Sequence, residues 1–593
     1  SCVHTTMLPP SFLRPSISHL SCPSLVRHST VLSSTQATHE VRNQAKLQDD
    51  INLFDDNATL SGYVRSHSSP SSPNLPTVLT HLSSSGSTFG SSSMRENADS
   101  ANMIKPALQT HDIYGNRVDR VVYNEAYHEI MKAGIESGVT SMPWDDHPVR
   151  CRETPHLHRA SLIYMLNQLD PGPCCPIVMT FAATSTIAKH GPNQHKDSWM
   201  SKLTSRSYDS RDVEIGCKTG VTIGMSMTEK QSGSDVRTNT TKATKIEEDV
   251  YALVGHKWFT SAPNSDGFLT LAKVNGDDDK MSCFLVPRVL PDGSRNAGLQ
   301  FQRLKDKMGD HSNASSEVEY RNAVGFLCGE VGRGVPTIID MVHHTRLECG
   351  LGSAGAMDRA YRIAENHCSQ RVAFGAPLAD QPLMRHLLMD LELDNKASTL
   401  LAMRMAKSFD NPEEAAFGRV GVPVMKFFLC KKQPNFIYEC MEIMGGNGYV
   451  ESWPMARMFR ASPLNSIWEG SGNVMALDVV RAFGKGKGHI FKALSDNLEG
   501  VEGKDGNVDK HWEITMDTID KLTSEDSDPG LLAFYGRKIT ADLAVGLQAV
   551  EMIKAANECI VTEDEAGMFV SSRIGEGEDS EINNNRGIYG NTM

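Results

Sequence analysis

The sequence predicts an α+β protein: a helical domain, a compact antiparallel β domain, and a helical bundle with a further helical region behind it. Three changes of hydrophobic period carry that prediction. Apolar residues recur at helical spacing in Tyr123–Ala133 and Leu157–Leu169. Short β-branched and aromatic runs replace them between Val221 and Leu327, and helical spacing returns after Gly334.

Length and composition set the frame. A chain of 593 residues can bury several domains' worth of core, and 39% hydrophobic with 22% charged residues suits a globular protein. No run of about 18 apolar residues occurs, so no spanning helix is expected. The formal net charge of −13 argues against a general affinity for nucleic-acid phosphates. The 13 cysteines show no CxxC pair and only one adjacent pair, Cys174 and Cys175, which predicts reduced thiols in an intracellular compartment.

Taken in order, residues 1–40 allow two readings. Residues 1–39 lack Asp and Glu, carry Arg14 and Arg27, and are rich in Ser and Thr, which fits a mitochondrial transit peptide. Pro9, Pro10, Pro15 and Pro23 interrupt any amphipathic helix there; the alternative is a disordered tail or an untranslated-leader remnant before Met7, with the cytoplasm as the alternative location. Residues 41–105 read as a Ser-rich extension, disordered or loosely draped over 68–102. Residues 106–220 read as the N-terminal α-helical domain, with Ile177–Ala188 as a third helical stretch.

The β domain, 221–330, is built from VTIGMSMTE, VYALVGHKWFT, GFLTLAKV, SCFLVPR, SSEVEY and AVGFL, separated by turns such as PNSDG and PDGSRNAG. The bundle, 331–483, takes Val335–Arg371, Gln381–Ser408, Glu413–Met444 and a helix after Gly472. Residues 484–593 form the additional helical region, with Lys538–Ala556 its best helix. That region carries 11 Lys/Arg against 21 Asp/Glu, a net of −10, and ends in a glycine- and acid-rich tail from Gly575, read as mobile.

Five stretches bear on chemistry, and each has a plain structural reading beside the functional one. Met225–Asp235, MSMTEKQSGSD, ends a strand in a Gly/Ser turn whose amides suit a pyrophosphate, or simply make a surface turn. It contains neither GxGxxG nor GKS/T, so neither a Rossmann site nor a P-loop is indicated. Gly255–Ser261, GHKWFTS, offers Trp258 and Phe259 to a flat ring system or to the β core. Arg371 in QRVAFG ends a helix, where an arginine neutralises a phosphate or caps carbonyls. MGGNGY terminates a long helix with two consecutive glycines, suited to close backbone approach. Finally NSIWEGSGN, Asn465–Asn473, sets the carboxylate of Glu469 between an indole and glycines, either a desolvated base or an exposed turn. No metal site is expected.

The joint order of these motifs resembles the acyl-CoA dehydrogenase family over about residues 106–485. MTEKQSGSDV, VGHKWF, RLKDKMG, SNAS and NSIWEGSGN look most like its AidB-type branch, whose extra C-terminal helices match 484–593. The resemblance implies FAD as cofactor. Met225, Met227 and Thr228 would meet the isoalloxazine, Gly233 and Ser234 the pyrophosphate, and Phe259 and Ser261 the flavin face. Arg371, Phe374, Gln381, Glu442, Gly445 and Gly446 would come from a partner subunit, and Ser471 and Asn473 would touch the adenine end. Glu442 stands where the family usually has glutamine.

On the substrate side the resemblance implies Ser234, Arg346, Trp468 and Gly470, with Glu469 as the base that removes the α-proton of a medium- or long-chain fatty acyl-CoA. Trp468 replaces the more usual tyrosine. The activity implied is α,β-dehydrogenation by an FAD oxidoreductase in lipid metabolism. The alternatives are a low-activity flavoprotein that sequesters acyl chains and, last, an AidB-like nucleic-acid-associated protein, which the net of −10 in 484–593 disfavours. A homotetramer arranged as a dimer of dimers and an electron-transfer flavoprotein are the partners implied.

Overall fold

The computed structural model describes residues 39–69, 72–147, 152–274, 280–524 and 527–575. The transit-peptide or tail reading of 1–38 and nearly all of the acidic tail lie outside the described residues. Residues 45 onward form one unit, separate from 1–44.

The Ser-rich extension is helical, contrary to expectation. Helices α1 (Ala58–His67), α2 (Leu75–Phe89) and α3 (Ser92–Met103) occupy it. Val78, Leu82, Ser85, Gly86 and Phe89 form a buried stripe along α2 at helical spacing. The small residues exist for contact, not for looseness. A Cβ on Gly86 would meet Asn52 Oδ1 at 2.4 Å and Phe54 N at 2.7 Å, and one on Gly90 would meet Ile51 O at 2.1 Å. Segment 51–54 therefore packs against α2 only because glycine and serine leave room. We expect Gly86→Val to destabilise the fold by about 1–3 kcal/mol through overpacking. An unchanged melting temperature would mean that this helix lies loose after all.

A hairpin of β1 (Ala107–His111) and β2 (Arg117–Val122) follows, then α4 (Glu125–Glu136), α5 (Pro155–Leu169), α6 (Pro171–His190) and α7 (Lys196–Leu203). The sequence reading missed the hairpin. Asp170 separates α5 from α6, its side chain accepting from Gly172 N at 3.1 Å. Nearly every residue of α5 and α6 is buried, so these are interior helices without a polar face.

The β domain comprises β3 (Ile223–Ser226), β4 (Lys242–Lys245), β5 (Val250–Ser261), β6 (Gly267–Val274), β7 (Met281–Pro287), β8 (Leu299–Leu304) and β9 (Ser315–Cys328). The strand order is β3-β6-β4-β5-β9-β7, with β6 pairing β7 as well, which closes a barrel, and β8 added on β9. The domain is not purely antiparallel, because β3 and β4 both run parallel to β6. SSEVEY and AVGFL are one strand, β9, bulged at Asn322, whose φ of 56° and skipped register absorb one extra residue.

The bundle is α8 (Gly334–Gln370), the two-residue strands β10 (Val372–Ala373) and β11 (Ala376–Pro377), α9 (Pro382–Lys407), α10 (Ala415–Ile443), α11 (Gly446–Tyr449), α12 (Pro454–Ala461) and α13 (Gly472–Leu498). Beyond it come α14 (Gly506–Leu522), α15 (Pro529–Asn557) and α16 (Glu563–Arg573). α15 starts nine residues before the predicted Lys538. It packs on α9, α10 and α13, and Leu543, Leu547 and Val550 share one core with Leu400 and Leu401 of α9. Among the described residues no helix is long and apolar enough to cross a membrane, and no group of three or more His, Cys, Asp or Glu gathers to hold a metal.

Candidate active site

The loop between α12 and α13 carries Glu469, and a buried lysine holds it. Lys426, in the apolar run VMKFFL of α10, is 1% exposed. Its ammonium donates to Asn465 O at 2.9 Å, Trp468 O at 3.0 Å and Gly470 O at 2.8 Å. Three carbonyls facing one cation fix the backbone on both sides of Glu469. Trp468 is pinned in turn, its Nε1 donating to Asn465 Oδ1 at 3.0 Å.

Glu469 itself sits at φ 56°, a left-handed conformation uncommon for a side chain with a Cβ. Gly470 follows at φ +100°, and a Cβ there would meet Met475 Cε at 2.5 Å. This pair of turns aims the carboxylate inward. Oε2 accepts from Thr345 Oγ1 of α8 at 2.6 Å, and Arg346 Nε donates to Glu469 O at 3.2 Å. Arg346 is oriented by Asp478 Oδ2 at 2.8 Å, and Arg419 meets the other oxygen of Asp478 at 2.7 Å. Burial raises the Glu469 pKa above the ordinary glutamate value; the Thr345 hydrogen bond and the positive charges of Lys426 and Arg346 pull it back. The result is a half-buried carboxylate with one fixed hydrogen bond, the form that suits a general base.

The β domain supplies the opposite wall. Met225 and Met227 pack on the same apolar cluster as Trp468, so one core underlies both the loop and the end of β3. Thr228 O accepts from Trp258 N at 2.8 Å, tying the first motif to the second. Beneath them Glu229 and Lys257 form a buried ion pair at 2.9 Å, so these two residues bind strand to strand. Ser261 Oγ lies 3.1 Å from Ser315 Oγ. Burial pushes the nearby Cys175 thiol up to about 12, with Lys307 and Ser261 opposing and Glu469 adding to the rise, so it stays protonated at neutral pH.

Several features here fit a flat ring and a pyrophosphate. Phe259 is 48% exposed and Trp258 half-buried, with Lys305 Nζ 3.3 Å from the Trp258 ring centre. Gly233 and Ser234 are exposed, and a Cβ on Gly233 would touch only Thr228 Cγ2, at 3.7 Å. The cradle is open where a ligand backbone would approach.

The remaining predicted residues lie elsewhere. Arg346 and Arg371 are 25 positions apart on or just past α8, about 37 Å by helical rise, so Arg371 is remote from Glu469 in one chain. Phe374 and Gly375 form the tip between β10 and β11, with φ of 52° and 87°, and Phe374 is 98% exposed. Gln381 Nε2 donates to Ala373 O at 3.1 Å and braces that tip. Glu442, Gly445 and Gly446 are exposed, and a Cβ on either glycine would meet nothing. Ser471 is the residue before α13, its side chain making no capping bond, and Asn473 Oδ1 accepts from Arg537 of α15 at 2.9 Å. The additional helical region thus reaches the residue expected at the adenine end.

Residues 43–210 match the adaptive response protein AidB N-terminal domain, 224–323 the acyl-CoA dehydrogenase middle domain, and 332–484 the acyl-CoA dehydrogenase C-terminal domain. The chain is 40% identical over 479 residues to the AidB protein of Escherichia coli (strain K12), covering 80% of this chain and 85% of that one. This chain belongs to the acyl-CoA dehydrogenase family. Its AidB-type N-terminal domain places it in the AidB branch.

Two solved members align in structure. The acyl-CoA dehydrogenase ACDH-11 of Caenorhabditis elegans, in complex with C11-CoA, superposes with a TM-score of 0.82 at 25% identity, over 96% of this chain and 100% of that one. An acyl-CoA dehydrogenase of Bacillus anthracis complexed with FAD gives 0.59 at 19% identity, over 75% and 79%, a likeness of fold. The sequence reading singled out Glu469 but not Thr345, Lys426 or Asp478, which the structure sets around its loop. Only Lys426 left a signal, a lone cation within an apolar helical run.

Proposed function

We propose that this protein is an FAD-dependent acyl-CoA dehydrogenase that takes a medium- or long-chain fatty acyl thioester and uses Glu469 as its base. The observation that carries the proposal is the Glu469 carboxylate held by Thr345, on a loop whose Trp468 packs on the same apolar cluster as Met225 and Met227. Family membership, the FAD-bound relative and the C11-CoA-bound relative support it. Bound FAD supplies the hydride acceptor. The chain supplies the rest. Glu469 takes the α-proton, Thr345 keeps its carboxylate in one direction, and the Glu469 backbone N–H is the donor for the thioester oxygen. Trp468, pinned on Asn465, shuts water from the base, while Met225, Met227, Thr228, Phe259 and Ser261 cradle the ring system. Gly233 and Ser234 leave room for the pyrophosphate.

Arg371, Phe374, Gln381, Glu442, Gly445 and Gly446 would then serve the site of a second copy. The separation of Arg371 from Glu469 along α8 and the bare Phe374 tip support a homo-oligomer, a dimer of dimers by family analogy. An electron-transfer flavoprotein is the proposed acceptor. Of the two compartments, the match with a bacterial relative supports the cytoplasm. A second reading, acyl sequestration with slow turnover, is favoured by the likeness to the C11-CoA complex.

One experiment separates them. The purified protein should show an oxidised-flavin spectrum that bleaches when acyl-CoA is added without oxygen. Tight acyl-CoA binding with an unbleached flavin would select sequestration, and absence of flavin would refute both readings.

A further inference from the structure

One helical turn along α8 from Thr345 lies a buried ion pair that satisfies only half of itself. Arg159 of α5, 1% exposed, and Glu348 of α8, 4% exposed, meet through Nη1 and Oε1, and Arg159 Nε donates to Val139 O at 2.8 Å. Arg159 Nη2 and Glu348 Oε2, the other ends of the same fork, are buried without a hydrogen-bond partner. So is Nδ1 of His344, which precedes Thr345. Glu348 follows Thr345 by three residues on α8, a rise of about 4.5 Å, so the fork faces the interior next to the group that holds Glu469. Aromatic rings close the far side. Phe181 lies 3.5 Å under the Arg159 guanidinium, and Trp144, Phe181 and Phe409 surround His344 with ring centres 5.0–6.0 Å away.

Buried polar atoms are normally paired, and two unpaired ones at the ends of one fork call for a missing partner. Their chemistry selects it. Nη2 can only donate and Oε2 of the ion pair can only accept. A carboxylate would face Glu348, an ammonium would face Arg159, and a ketone oxygen would leave Oε2 unsatisfied. A hydroxyl accepts from Nη2 and donates to Oε2 at once. Resting on the acyl-CoA reading above, we propose that the acyl chain taken here bears a hydroxyl beyond the reacting carbons, which bridges Arg159 Nη2 and Glu348 Oε2.

The test uses the full chain with its flavin, and calorimetric binding of decanoyl-CoA against hydroxydecanoyl-CoA isomers with the hydroxyl at successive carbons. One isomer should bind roughly tenfold to a hundredfold tighter than decanoyl-CoA, and isomers to either side should not. In the paired variant Arg159→Met/Glu348→Leu, which replaces the whole ion pair by apolar groups, that preference should vanish while decanoyl-CoA still binds. A flat series with decanoyl-CoA bound overturns the inference, leaving a buried water as the fork's partner and the acyl-CoA reading intact. A preference that survives in the paired variant also overturns it. If no thioester binds, the acyl-CoA reading fails and this inference with it. Should the paired variant not fold, the series on the unaltered chain decides alone.

Discussion

Replacing Glu469 by glutamine should lower acyl-CoA turnover by about two to four orders of magnitude, the usual share of a general base. Glutamine keeps the shape and an oxygen to accept from Thr345 Oγ1, so acyl-CoA binding should change little. Anaerobic flavin reduction and calorimetric binding, run in parallel, check both halves. Full turnover in Glu469→Gln would remove the assigned base. The pH profile gives an independent reading. Burial raises the Glu469 pKa, and only the ionised form takes a proton, so turnover should fall on the acid side at a pH above the ordinary glutamate value. The linkage to stability has the opposite sign. A carboxyl harder to ionise in the fold than in the unfolded chain weighs against folding above its raised pKa, and the penalty is relieved as pH falls through it.

Lys426→Met should be nearly as severe, by another route. Methionine fits the apolar surroundings of α10 but leaves the carbonyls of Asn465, Trp468 and Gly470 without their donor. An orphaned buried acceptor costs about 1–3 kcal/mol, so three together should cost upwards of about 3 kcal/mol of stability. The catalytic effect should exceed what partial unfolding explains. With the loop released, a displacement of Glu469 of about 1 Å could lower turnover on the order of a hundredfold. Thermal unfolding and kcat, measured below the transition, separate the two effects. A variant that melts earlier but turns over normally would show that Lys426 only stabilises the loop.

Glu469 was legible as the proposed base because its motif is local. Trp468, Glu469, Gly470 and Ser471 are adjacent, and the left-handed turn they make needs no distant partner to be suspected. Its supports were not. Thr345 is one hydroxyl among many on a helix of 37 residues, and nothing in its neighbours marks it as the one 124 positions away from its carboxylate partner. Lys426 announces itself only as a cation where a cation is costly. Composition misled the reading at α2. Serine and glycine suggest looseness by composition, yet here they allow Ile51–Phe54 to approach the helix. The parallel pairing of β3 and β4 with β6 was equally hidden, since alternation along a strand does not state the direction of its neighbour.

α13 starts three residues after Glu469 and runs to Leu498, one element by its hydrogen bonds but two rods by its backbone. At Gly486 φ is −148° and ψ 34°, and Gly484, Gly486 and Gly488 have nothing within 4 Å of a would-be Cβ. Torque applied to the outer rod is therefore spent at this universal joint before it arrives at Glu469. α15 offers the stiffer route, because Gly536 lies against Ala476 and Val480 of the inner rod and Arg537 grips Asn473. A load on the C-terminal helices would be felt at the Glu469 loop through that strut, not along the shaft.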